Sequence, residues 1–284
     1  MQMTYYKLTN WNEYNHGSFL KDGFFVIKNF DDKIQIDNFD HAKNYGHGGI
    51  FFRDITNILD DLYCRDNYYL RHIHLPITHP KFKLISNISG EYWSNMVILG
   101  KRMDLTKIET FEYLESLGAD INVGNYRAFN WACRGGHLEI VKHLFNKGTN
   151  VSCCNSQSFN DAIRYGKYEV VEFLIDHGMT IISYCFSVAC ESGRINMVKL
   201  LVNKGVDYKP NIDYCFNIVC FYGNLELVKY LITLGVDISR DDYKAMRMAH
   251  CNEQVNVVDY LLSIGADKDF LQSSYDEYDD VYNF

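Results

Sequence analysis

Residues Arg134–Asn150 read RGGHLEIVKHLFNKGTN. Two glycines precede an apolar stripe and a third closes it. Gly136, His137 and Gly148 could form a ligand loop, or the glycines could punctuate a helix. A glycine–histidine pair beside charged residues is compatible with a phosphate or metal site. The rest of the chain separates these readings, because the phrase returns. YGKYEVVEFLIDHGMT begins at Tyr165, SGRINMVKLLVNKGVD at Ser192, YGNLELVKYLITLGVD at Tyr222 and NEQVNVVDYLLSIGAD at Asn252. Upstream, LTKIETFEYLESLGAD from Leu105 fits the same frame. The closing glycine falls at 118, 148, 178, 205, 235 and 265, giving intervals of 30, 30, 27, 30 and 30. Periods of this length mark stacked repeats.

The short interval can be placed. Phe129, Phe159, Phe186 and Phe216 share a column, and lie 11, 11, 8 and 11 residues after the preceding closing glycine. The missing residues therefore belong to the loop after Gly178, where length changes are tolerated. Each unit predicts two short helices. In the second, Ile140, Val141, Leu144 and Phe145 make one apolar stripe. Gly148 ends it as a left-handed C-terminal residue would, and Gly136 makes the turn between the helices. A small residue recurs three positions after the column aromatic, at Ala132, Ala162, Ala189, Val219 and Ala249. Small side chains let neighbouring units approach closely. One unit cannot bury both of its stripes, whereas a stack can. The glycines are thus punctuation, and His137 is expected to bond backbone or a loop.

This pattern resembles the ankyrin repeat. RAFNWAC (Arg127–Cys133) stands where that family has T-P-L-H-x-A-A. Gly136-His137 matches its G-H, IVKHLF its apolar run, and GAD at Gly118 and Gly265 its closing turn. The family proline is missing, Phe usually replaces Leu, and Asn130, Asn160, Ser187 and Asn217 replace His. The shorter period implies a reduced hairpin finger. The resemblance covers residues 92–267 and implies a mainly α fold: an ankyrin-type α-solenoid of about six helix-turn-helix repeats of about 30 residues.

Residues 1–90 lie outside the repeat. FFVIKNF, GGIFF and YYLRHIHL are β-type runs, and RDITNILDDLY reads as a short helix with Ile55, Ile58, Leu59 and Leu62 on one face. The expected organisation is a small α+β N-terminal module (1–90), an ankyrin solenoid (91–267) and an acidic, disordered tail (268–284). The leader is similar to that of ankyrin-repeat proteins from giant amoeba-infecting DNA viruses.

The chain has 284 residues and a net charge of −8, with no basic run, which disfavours nucleic acid as a partner. No signal-type or membrane-spanning stretch is evident, so a cytoplasmic location in the host cell is expected. The nine cysteines are an odd number in a long chain, and several share helix columns: Cys133, Cys190 and Cys220 in one, Cys185 and Cys215 in another. Reduced, buried thiols are the reading. His72, His74 and His79 could form a metal site with Cys64 or His47, but ordinary strand histidines account for them as well. GHGGIFF from Gly46 lacks the phosphate-loop lysine and leads into a β-type run. No cofactor, metal or catalytic set is therefore assigned.

What remains is binding. The resemblance implies recognition of proteins through a concave face made of first helices and loop tips. The residues placed there are Trp131, Tyr165, Val188, Ile218, Tyr222 and Met248, with Tyr126, Tyr184, Tyr214 and Tyr243 near the loop tips. Trp and Tyr bury much area at low rotamer cost, which suits interface anchors. The expected protein is a monomeric, non-enzymatic interaction module for a host or viral protein. The alternatives are an enzyme in the N-terminal module, with the repeats as docking arm, and an adaptor for host ubiquitination.

Overall fold

The computed structural model describes residues 5–9, 33–35, 50–62, 69–88 and 90–271. The FFVIKNF run, GHGG, His47, Cys64 and the tail beyond Leu271 lie outside them. Contacts divide the chain into two compact units, Met1–Asn155 and Ser156–Phe284.

The first unit opens with a sheet. Its strands are β1 (Tyr5–Thr9), β2 (Lys33–Gln35), β3 (Ile50–Asp54), β4 (Tyr69–His74), β5 (Leu84–Ser86), β6 (Glu91–Ser94) and β7 (Met96–Asp104). All the pairings are antiparallel, in the order β2-β7-β4-β1-β3-β6-β5. Alternation along β1 sends Tyr5 and Tyr6 to opposite faces. Tyr5 packs with Phe52, Ile73 and Val97. Tyr6 is buried, stacks on His72, and meets the Tyr113 hydroxyl at 3.1 Å. The sheet extends to Asp104, past the boundary expected at residue 90. EYWS and MVILG, expected within the solenoid, form strands of this sheet.

Tyr113 lies on α1 (Ile108–Ser116), a second-type helix with β7 before it instead of a first helix. Next come α2 (Val123–Gly135), α3 (Leu138–Asn146) and a 3-10 turn at Val151–Cys153. The start of α2 holds a left-handed turn at Gly124, Asn125 and Tyr126. The predicted short helix after β3 is a 3-10 turn, Ile58–Asp61. Ile58, Leu59 and Leu62 are buried there, and Asp60 O accepts a hydrogen bond from the Arg127 guanidinium of α2.

The second unit contains four helix pairs: α4 (Ser156–Arg164) with α5 (Tyr168–Asp176), α6 (Ser183–Glu191) with α7 (Ile195–Asn203), α8 (Ile212–Phe221) with α9 (Leu225–Thr233), and α10 (Arg240–Cys251) with α11 (Val255–Ser263). First helices pack on first helices (α4 on α6, α6 on α8, α8 on α10), and second helices do likewise from α5 to α11. This is solenoid packing. Among the described residues this makes five helix pairs, with α1 unpaired, where about six repeats are expected. The short loop falls where the spacing put it: Asp176 to Ser183 has no 3-10 turn, whereas the next loop has one at Lys209–Asn211.

One hydrogen bond repeats at every helix turn. The carbonyl of the small-residue column accepts from the amide just past the turn: His137 to Ala132 (2.9 Å), Lys167 to Ala162 (2.8 Å), Arg194 to Ala189 (3.2 Å), Asn224 to Val219 (3.2 Å) and Gln254 to Ala249 (2.9 Å). This closure requires a left-handed residue in between. Gly136 supplies it at φ 80°, while in the last pair Glu253 adopts φ 58° without a glycine's freedom. The His137 side chain lies against Trp131, with ring centroids 4.4 Å apart.

Candidate partner-binding face

α6 is enclosed on three sides: by the first helices before and after it, α4 and α8, and by its own second helix, α7. On α6 this buries Cys185, Phe186, Ser187, Val188, Ala189 and Cys190. Besides Ser183 at the helix start, what escapes is Tyr184 and Glu191, seven residues or two turns apart. The position two residues after the column aromatic faces a neighbour, not solvent. Val188 and Met248 are accordingly core residues, Ile218 is half-buried, and Asp161 is buried with Gln157 Nε2 donating to its carboxylate at 3.1 Å. In the first unit Trp131 is 1 % exposed, packed between Phe111 and His137. The expected strip of Trp131, Val188 and Met248 as surface anchors is therefore wrong. In the second unit the adjoining first helix covers this column.

The tyrosines behave differently. Tyr165, Tyr184, Tyr214 and Tyr222 are all exposed, with Tyr222 at 64 %. Tyr165 and Tyr222 follow the last residues of α4 and α8, where no further turn covers them. Tyr222 is braced edge-on by Phe221 at 5.1 Å. Tyr184 and Tyr214 occupy equivalent positions at the starts of α6 and α8. The Tyr214 hydroxyl donates to Glu191 Oε1 at 3.0 Å. Burial, then that carboxylate, pushes the Tyr214 phenol up to about 12. Tyr243 is half-buried against Phe270, and Tyr126 is half-buried, its phenol raised chiefly by a hydrogen bond with Cys153. Glu191 was missed from the sequence; its spacing of seven from Tyr184 was the available signal.

Asn130, which stands in place of the family histidine, is structural. Asn130 donates to the carbonyls of Tyr126 (3.1 Å) and Cys153 (3.3 Å) and accepts from the amide of Asn155 (2.7 Å). The column cysteines are buried, and desolvation pushes the Cys133 and Cys220 thiols up, so neither is a poised nucleophile. His72 and His74 do share a face, with centroids 4.2 Å apart. Burial, then the neighbouring His74, holds His72 below its ordinary value. His79 turns away and accepts from the amide of Lys81. Among the described residues no group of His, Cys, Asp or Glu could hold a metal ion, and no helix is long and apolar enough to cross a membrane. A cleft of about 410 Å³ between β7 and α1 mixes Lys101, Arg102 and Lys107 with Asp104 and Glu109.

The family description "Ankyrin repeats (3 copies)" matches residues 104–184 and 186–271. The chain belongs to the ankyrin-repeat family. Two ankyrin-repeat proteins of Acanthamoeba polyphaga mimivirus are similar to it. One is 37 % identical over 140 residues, covering 49 % of this chain and 64 % of the relative. The other is 42 % identical over 100 residues, covering 34 % and 32 %. An uncharacterized protein of the same virus is 32 % identical over 137 residues, 48 % of this chain and 94 % of that protein. The match thus spans less than two thirds of either ankyrin-repeat relative. The human ASB11 ankyrin repeat domain shares 22 % identity with a TM-score of 0.41, covering 49 % of this chain and 69 % of that one. Ankyrin repeats mark a protein–protein interaction module.

Proposed function

We propose that this ankyrin-repeat protein is a monomeric, non-enzymatic module that grips a host or viral protein with the exposed ends of its first helices. The observation that carries this reading is the set of four exposed tyrosines, Tyr165, Tyr184, Tyr214 and Tyr222, on helices whose other aromatic and apolar side chains are mostly buried. Folding gains little from leaving such rings in water, whereas binding gains their area. The net charge of −8 turns nucleic acid and anionic membranes away and speeds encounters with basic partners. Half-buried Ile218 and Tyr243 are secondary contacts in this reading.

The test is affinity capture from Acanthamoeba lysate, read by mass spectrometry. The baits are the intact chain and a Tyr165→Ala/Tyr184→Ala/Tyr222→Ala variant with unchanged circular dichroism. The reading expects a partner held by the first and lost by the second. Partners retained equally by both would refute it.

A further inference from the structure

Glu191 is a half-buried carboxylate on the exposed stripe of α6. Its Oε1 accepts from the Tyr214 hydroxyl, and it has no cationic partner among the described residues. Arg164, in the equivalent position one repeat earlier, makes no ion pair with it. The acid nearest in sequence on the next first helix, Asp213, is by contrast neutralised by Arg240 at 2.6 Å. The rings of Tyr184 and Tyr214 are about half exposed and contact no other ring among the described residues. They stand at equivalent positions on α6 and α8, which pack on each other. Packed helices lie roughly 8–10 Å apart, which leaves space between two such rings for one slender side chain. Ring faces attract cations, and a carboxylate at the end of the slot adds a charge-assisted hydrogen bond.

We propose that Tyr184, Tyr214 and Glu191 form a clasp for one Lys or Arg side chain, presented by an extended basic segment of the partner protein. This deepens the function proposed above and rests on it. The uncompensated charge selects the occupant. An apolar segment would cover Glu191 and leave its charge buried without a cation, which is costly. A basic side chain supplies that cation and covers both rings with its aliphatic stem. Tyr214 acts as a positioning residue, because its hydroxyl donates to Glu191 Oε1.

The test selects a phage-displayed library of random peptides on the intact chain and measures the winners by fluorescence polarisation. The expected winners share a Lys or Arg whose replacement by Ala weakens binding about tenfold. Glu191→Gln and Tyr184→Ala should each weaken them by a similar factor. The peptide change and Glu191→Gln together should cost scarcely more than either alone, as for one coupled pair. Tyr214→Phe keeps the ring, so its loss should stay within about threefold, and the melting temperature of each variant checks the fold. Winners that depend on Tyr184 but carry no basic residue and bind Glu191→Gln equally would overturn the clasp and leave the tyrosine face standing. Winners indifferent to Tyr184 and Tyr222, or no winners, would overturn both.

Discussion

Replacing Trp131 by alanine tests whether this ring is a core residue or a surface anchor. The side chain is 1 % exposed and touches Phe111 of α1 and the His137 ring at the turn into α3. A buried tryptophan removes about 150–250 Å² from water. At about 25 cal/mol per Å² this corresponds to about 4–6 kcal/mol, and measured truncations of buried aromatics fall at about 3–5 kcal/mol. Trp131→Ala should therefore cost about 4 kcal/mol and disorder the repeats around α2. Trp131→Phe keeps most of the contact and should cost about 1–2 kcal/mol. Urea denaturation followed by circular dichroism reads both, with Tyr222→Ala as the control, expected within about 0.5 kcal/mol of the parent. A loss below about 1 kcal/mol for Trp131→Ala would refute the packing argument. Partner binding lost by that variant with the fold intact would return Trp131 to the surface.

Three further outcomes follow from local geometry. Glu253→Gly should stabilise the last helix pair by about 1 kcal/mol, because Glu253 holds a left-handed turn (φ 58°) where Gly136 stands in the α2–α3 turn, and a thermal melt shows the gain. Asn130→Ala should cost about 2–3 kcal/mol by leaving loop groups of the Asn130 cluster unpaired, and should speed hydrogen exchange at the Asn155 amide, which now donates to Asn130 at 2.7 Å. Because the folded Tyr214 phenol is raised to about 12 from its ordinary 10.0, its contribution to stability is fully present below pH 10 and is lost as pH rises toward about 12. Spectroscopic titration should show Glu191→Gln lowering the Tyr214 value, while burial keeps it above 10.0.

The repeat was legible because helix faces fix residue type at a fixed period. The Phe column, the small-residue column and the closing glycines each report a contact that every pair must make. The short loop after Gly178 could be placed for the same reason. Exposure within the first helices was less legible. Val188 and Tyr184 are four residues apart on α6, yet one is buried and the other half exposed. Their difference lies in which neighbouring helix each faces, and a single repeat does not encode that. Trp131 misled because tryptophan suits both a core and an interface. The sheet's extent was obscured because EYWS and MVILG carry apolar residues at spacings that a helix could also use. Glu191 escaped notice because its importance comes from Tyr214, 23 residues away, reaching across from α8.

In the proposed function, partners meet the ends of the first helices and not the second helices. A photo-crosslinking amino acid placed at Tyr222, 64 % exposed after α8, tests it against the same probe at Val255, 65 % exposed at the start of α11. The two sites match in exposure and lie in the same unit, one just after a first helix and the other at the start of a second helix. A crosslinked partner band is expected in infected-cell lysate from position 222 and none from position 255. Equal crosslinking from both, or crosslinking from 255 alone, would contradict it.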